Sequence, residues 1–440
     1  MVLFTARRRI VLPILIAVVL AVAAAAITQP WVRPQLRPVA ARSTVVGSAR
    51  ATASAEATLS ATPPKTKLVV GTDVQPDHAT PLDLQAELDL AHSHGGGVVT
   101  IPIGNWSLAT TVSVWSDTTL QGAGGQSCLV MRQPAVDLLN VAGSNVTLEN
   151  FCLVGPGGVA THGGNGVGRG IVNLNKTQSI QSVIVRNLRI SFTQGHAVEL
   201  YGSPRTRLQN LSIEGNVISR AGGHGLVIGF TDGGRVASNL IVDSALGGMA
   251  YGDGAINIEG STALTIERNT VDGSMYSGLQ ANSMAGSVVQ NNTVTNTRGS
   301  GFAFWNCSGD TFQGNTSTGN TDQGFYWALN SALPGSAGNN LIQGNLAQGN
   351  GQNGFQLAHQ THVQFSGNTA TDNNTSNGIA SGLMVQQNSS IITVSGNTFR
   401  NSHLGVGQLL GVHDVDKSAI GLVVANDNIY FAMRVANVQL

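Results

Sequence analysis

The chain has 440 residues, 10% of them charged and 42% hydrophobic, which is enough apolar material for one large core or two ordinary ones. Lysine plus arginine and aspartate plus glutamate both number 23, so there is no electrostatic footprint for nucleic acid or for an acidic membrane surface. The 55 glycines lack an every-third-residue period, which excludes collagen and predicts a chain that turns often.

Residues 1–27 carry three arginines, an apolar run from Ile10 to Ile27 and small alanines that offer an A-x-A-like cleavage site. This is an export signal, read either as a signal peptide that is removed or as an uncleaved membrane anchor, because 18 apolar residues sit at the lower edge of what spans a bilayer. Either way the remainder is placed outside the cytoplasm, secreted or at the cell surface. Any membrane contact is confined to this N-terminal segment. Residues 28–66 are rich in Ala, Ser, Thr and Pro without a hydrophobic period, as in a disordered linker. A single domain is expected over 67–440.

That domain opens with a helix signal: Thr80 as N-cap, Pro81 at the first helical position, then Leu84, Leu88 and Ala91 on one face, stopped by "GGG" at 95–97. Beyond it, strand-like pieces led by glycine recur from "GLVIGF" (Gly225) through "GAINIE" (Gly254) and "GLQANS" (Gly278) to "GLMVQQ" (Gly382). Alternating strands that close on asparagine interleave with them, at "LTIERNTV" (Asn269), "VVQNNTV" (Asn291) and "TFQGNTS" (Asn315). A period near 23 with occasional insertions of about six residues, built from short strands and Gly/Asn turns, fits an all-β fold: a single-stranded right-handed parallel β-helix, with the Thr80 helix capping its N-terminal end. The asparagine suits the inside of a turn, where its amide bonds backbone and its neighbours above and below and where the left-handed conformation is tolerated. Three cysteines, Cys128, Cys152 and Cys307, exclude full pairing and form no C-x-x-C metal motif. Cys128 and Cys152 fall about one coil apart, compatible with a disulfide or with two buried thiols.

Residues 77–132 resemble the entry segment of the pectate-lyase-like β-helix superfamily, in which a cap helix precedes a "GGG-hydrophobic-P-x-G" strand and an "L-x-G-x-G" turn. The match lies at Gly95–Gly97, Pro102, Gly104, Leu120, Gly122 and Gly124. The resemblance implies the fold and a polysaccharide partner. It leaves the activity open, since the superfamily holds lyases, hydrolases, epimerases, phage depolymerases and proteins without catalysis. "GHGLVIG" also resembles an element of polygalacturonases, and His224 matches its histidine. The acids and the "R-I-K" triplet that accompany it in that family are missing, and Val227 replaces its serine. The "D-P-H-E" element of alginate epimerases is absent.

In relatives the substrate lies along the sheet that carries the glycine-led strands. With Leu226 and Ile228 inward, strand alternation predicts one outward row through Asn173, Glu199, Val227, Asn257, Gln280, Ala303 and Tyr326, and a second through Asn175, Tyr201, Gly229, Glu259, Asn282 and Trp305. Arg169, His196, His224 and Asp253 precede the strands. The candidate catalytic groups are Glu199, His196, His224, Asp253 and Glu259. The candidate substrate-binding groups are Arg169, as a clamp on a uronate carboxylate, with Tyr201, Asn257, Gln280, Asn282, Trp305 and Tyr326. Two coils, ~9.6 Å by strand spacing, separate Glu199 from the coil of Asp253 and Glu259, near the gap that an inverting hydrolase needs. A histidine base with the Arg169 clamp would instead suit a lyase or epimerase. The sequence requires no cofactor; Ca2+ is left open as an alternative, with Asp253, Glu259 and Glu199 a thin supply of oxygens for it. The expected function is an extracellular polysaccharide lyase or glycoside hydrolase. The opposing reading is a non-catalytic carbohydrate-binding or surface scaffold with the same groove.

Overall fold

The computed structural model describes residues 68–70, 83–157, 167–246, 254–330, 337–375, 380–402, 407–415, 417, 419–433 and 436–440. The expectations for residues 1–66 and the Thr80–Pro81 helix start lie outside them. Among the described residues no helix is long and apolar enough to cross a membrane.

Among the described residues, three parallel sheets of 14, 13 and 13 strands run along a right-handed solenoid. The glycine-led strands form one sheet, from Val112–Val114 to Ala436–Gln439. The strands that close on asparagine form the second, and a return sheet, from Gly104–Leu108 to Ile429–Phe431, completes each coil. Every third strand pairs: Leu226–Gly229 lies between Val198–Tyr201 and Gly254–Glu259, parallel and without slippage. Inward side chains therefore stack coil on coil. Phe302, Phe325 and Phe355 stack at 4.6 and 4.9 Å between centroids, and Phe304 on Trp327 at 5.4 Å. The leading glycines answer to space. A Cβ on Gly278 would overlap Val294 of the return sheet, so the sharp entry into the glycine-led sheet closes only without a side chain.

At the turn after the second sheet, nine buried asparagines from Asn216 to Asn428 form one ladder. The Oδ1 of each accepts both the backbone N–H and the Nδ2–H of the asparagine before it, at 2.9 and 2.9 Å from Asn269 to Asn292 and 3.0 and 3.0 Å from Asn292 to Asn315. The other Nδ2 proton goes to a strand carbonyl, as from Asn315 to Val289 at 2.8 Å. Two details of the sequence reading are corrected. The left-handed residue is the one before the ladder asparagine, as at Gly215, Ser238, Arg268 and Gly314, because that kink is what turns the following amide inward. In "VVQNNTV" the ladder member is accordingly Asn292, and Asn291 takes φ 55°.

Helix α1 (Leu84–Ser93) buries Leu84, Leu88 and Ala91, as expected. The N-cap of the described helix is Asp83, whose Oδ1 accepts the Ala86 N–H at 3.0 Å. Cys128 and Cys152 are register partners on adjacent coils with Cα atoms 4.5 Å apart, joined by a disulfide. Cys307 is a buried thiol.

Asp310 stands at the entry to strand Thr311–Gln313, where its Oδ1 accepts the Ser287 N–H at 2.7 Å while Oδ2 is buried without a partner. Burial pushes its carboxyl up to about 7. Because the folded value is raised, the associated stability is full below the ordinary carboxylate value of 3.8 and is lost as pH rises through about 7. Asp310→Asn is expected to flatten the stability–pH curve between about pH 4 and 8, read by thermal unfolding across that range. Asn315→Ala leaves the N–H and Nδ2 of Asn292 without an acceptor and is expected to destabilise by about 3 kcal/mol in denaturant unfolding.

Candidate functional site

The register places the expected outward rows on the glycine-led sheet: Glu199, Val227, Asn257, Gln280, Ala303 and Tyr326 in one, and Tyr201, Gly229, Glu259, Asn282 and Trp305 in the next. The first coil departs from the expectation. Val172, not Asn173, pairs with Glu199, because the strand is only Ile171–Val172. Asn173 instead turns back, its Nδ2 donating to the Tyr201 carbonyl at 2.9 Å and its Oδ1 accepting the Tyr201 N–H at 2.7 Å.

Arg169 is buried and fully engaged. Its Nε and Nη2 donate to the two oxygens of Asp137, at 3.0 and 2.8 Å, and Nη1 donates to Glu199 Oε2 at 2.9 Å. Lys176 takes the other oxygen of Glu199 and lies 4.7 Å over the Tyr201 ring. Burial works against the guanidinium charge, but the two carboxylates outweigh it and raise the Arg169 pKa. The expected clamp on a substrate carboxylate is thus not the arrangement found: releasing Arg169 would leave the buried Asp137 carboxylate without its cation. Glu199 is tied by two cations. Asp137 and Lys176 are the partners that the sequence reading missed. Asp137 stands two residues before Leu139 as Arg169 does before Ile171, so aligning "VDLLNV" on the rows would have found it.

Tyr201 reaches across an entire coil. In its row Gly229 lies between Tyr201 and Glu259, and the ring passes over the bare Cα so that its hydroxyl donates to Glu259 Oε2. A Cβ on Gly229 would overlap Cδ2 and Cε2 of the ring. Phe230 and the ring meet in a T shape at 5.4 Å between centroids. Burial first, then the bond to Glu259, raise the Tyr201 pKa, so the phenol is held as a donor. Asn257 Nδ2 gives Glu259 its second bond, at 3.1 Å. Both partners of Glu259 are neutral.

His196 and His224 stack at 4.7 Å, both buried. His196 Nδ1 accepts the His224 N–H at 2.9 Å, and His224 Nδ1 bonds the Gly254 carbonyl, which fixes its proton on that nitrogen. Burial, then the charges of His224, Arg169 and Lys176, drive the His196 pKa well below its ordinary value. His196 is therefore a neutral acceptor inside the wall. Asp253 lies outside the described residues. On the later coils half-buried Trp305 and Tyr326 meet edge to face at 5.9 Å. Asn282 is half-buried beside them, and the buried oxygens Asn257 Oδ1 and Gln280 Oε1 have no donor. Among the described residues no three His, Cys, Asp or Glu side chains gather to hold a metal.

A family model described as the right-handed β-helix region matches residues 169–333 and 254–431. Among solved structures, the A-module of the mannuronan C-5 epimerase AlgE4 from Azotobacter vinelandii superposes with a TM-score of 0.51 at 18% identity, covering 81% of this chain and 92% of that one. The catalytic unit of a GH87 α-1,3-glucanase from Streptomyces thermodiastaticus gives 0.54 at 18% identity, over 86% and 70%. A DFA-IIIase variant from Arthrobacter chlorophenolicus gives 0.54 at 15% identity, over 78% and 91%. At these identities the likeness shows the fold alone. No curated protein matches the chain in sequence.

Gly229→Ala is expected to push the Tyr201 ring off its shelf. A spectroscopic tyrosine titration should then show one phenol returning toward 10.0, with the wild-type chain retaining it above that value.

Proposed function

The chain belongs to the right-handed β-helix family, and on that premise we propose that it is an exported polysaccharide-active enzyme, a lyase or glycoside hydrolase, that holds an extended glycan along the glycine-led sheet. The observation that carries this reading is the Tyr201–Glu259 pair laid across Gly229 in the middle of that face. Glu259 is the acid there whose hydrogen-bond partners are neutral, whereas Glu199 is spent on Arg169 and Lys176. A carboxyl held by a phenol and an amide is free to exchange a proton with a glycosidic oxygen or with water. We assign Glu259 that role, with Tyr201 and Asn257 orienting it.

Trp305 and Tyr326 supply ring faces and edges for sugars on the neighbouring coils, with Asn282 bonding hydroxyls. His196, His224, Arg169 and Glu199 form the wall that fixes the first coils. Three solved relatives in fold are, by their names, an epimerase of mannuronan, a glucanase and a DFA-IIIase, which supports a glycan as the partner. The Cys128–Cys152 disulfide supports an oxidising compartment, in line with export through residues 1–27.

The test incubates the purified chain with a panel of uronate-containing and neutral polysaccharides. New reducing ends are followed together with the ultraviolet absorbance of unsaturated uronates. Ends with absorbance identify a lyase, and ends alone a hydrolase. Glu259→Gln is expected to lower the rate by at least about a hundredfold while glycan binding persists. Binding without cleavage by the wild-type chain would leave the non-catalytic scaffold as the reading.

A further inference from the structure

Resting on the glycan-binding reading above, we propose that the groove is built for an uncharged glycan and discriminates against polyuronates. The strands of the glycine-led sheet from Leu139–Val141 to Leu410–Asp414 contain no lysine or arginine. Two cations at its first coils, Arg169 and Lys176, are both committed to Glu199, and Arg169 to Asp137 as well. A polymer that bears a carboxylate on every sugar would thus meet Glu259 without a countercharge, and like charges brought together out of water oppose binding.

On the coils beside Glu259 the polar groups that lack partners are oxygens. Asn257 Oδ1 and Gln280 Oε1, on adjacent coils, are buried acceptors with no donor. Glu259, on the same strand as Asn257, accepts as well. Of these acceptors Glu259 is the half-buried one, and sugar hydroxyls donate to a carboxylate whereas uronate carboxylates only accept. Half-buried Trp305 and Tyr326 on the following coils add ring contacts that are indifferent to charge.

The assignment selects between the two chemistries left open above. Eliminative cleavage removes a proton made acidic by a neighbouring uronate carboxylate, and an uncharged glycan has none. Cleavage would then add water across the glycosidic bond, its hydroxyl to the anomeric carbon and its remaining proton to the leaving oxygen.

The experiment compares binding of the full chain to polygalacturonate, to the same polymer after chemical reduction of its carboxyl groups, and to neutral glucans and galactans, by affinity electrophoresis at low and high salt. The neutral forms are expected to bind at least about tenfold more tightly than polygalacturonate, with an affinity that salt leaves unchanged. Asn282→Lys, at a half-buried position on the face, is expected to raise polygalacturonate binding about tenfold at low salt and to lose that gain at high salt. Tighter binding of polygalacturonate than of its reduced form would overturn the inference and leave the glycan groove standing. Failure to bind any of the polymers would overturn the groove itself.

Discussion

The amide of a buried asparagine is what lets this chain repeat. Each coil must turn sharply after its second strand, and the turn buries backbone N–H and C=O groups that no strand can satisfy. The side-chain oxygen of the next coil's asparagine takes an N–H, the nitrogen takes a carbonyl, and the ladder passes the arrangement on from Asn216 to Asn428. Register follows from it. A coil that slipped by one residue would bring its left-handed residue to the ladder position and break several hydrogen bonds at once. The straight outward rows on the glycine-led sheet therefore have their origin at the turn.

The rest of the molecule depends on that register in different degrees. The aromatic stack of Phe302, Phe325 and Phe355 needs it for ring overlap, and the Cys128–Cys152 link needs the two residues opposite one another. On the outer face it makes neighbours of residues from 28 to 58 positions apart in sequence, such as Asn173 with Tyr201 and Tyr201 with Glu259. The first coils use this proximity for a closed ion network, and the middle coils for a phenol–carboxylate pair with neutral surroundings. Paired charge is thereby kept to one end of the face, and the middle sets the Glu259 carboxylate among neutral hydrogen-bonding and ring groups.

Much of this was legible in the sequence, for a physical reason: a solenoid converts a period in sequence into a distance in space. The glycine-led strands gave away the rows because strand alternation has a period of two and the inward pair, Leu226 and Ile228 or Ile256 and Ile258, is unambiguous. The first coil misled because the strand Ile171–Val172 is too short to show alternation. The ion network stayed hidden because Asp137 sits on a coil without a leading glycine and Lys176 comes from a turn, where periodicity carries no information. Alternation says which side chains face outward and nothing about which of them lie down along the face. Neither the burial of Arg169 nor the reach of Tyr201 could follow from it.

The ring of Tyr201 over Gly229 also bears on how such a chain can grow. Solenoids lengthen by duplicating a coil, and across most of this one an added coil would find its asparagine, its glycine and its apolar pair already suited to its neighbours. Between Tyr201 and Glu259 it would not. A tyrosine spans one intervening coil and no more, and that coil must present a bare backbone. The stretch from 201 to 259 is therefore a segment of fixed count in a molecule otherwise free to vary in length, a place where the number of turns is itself part of the site.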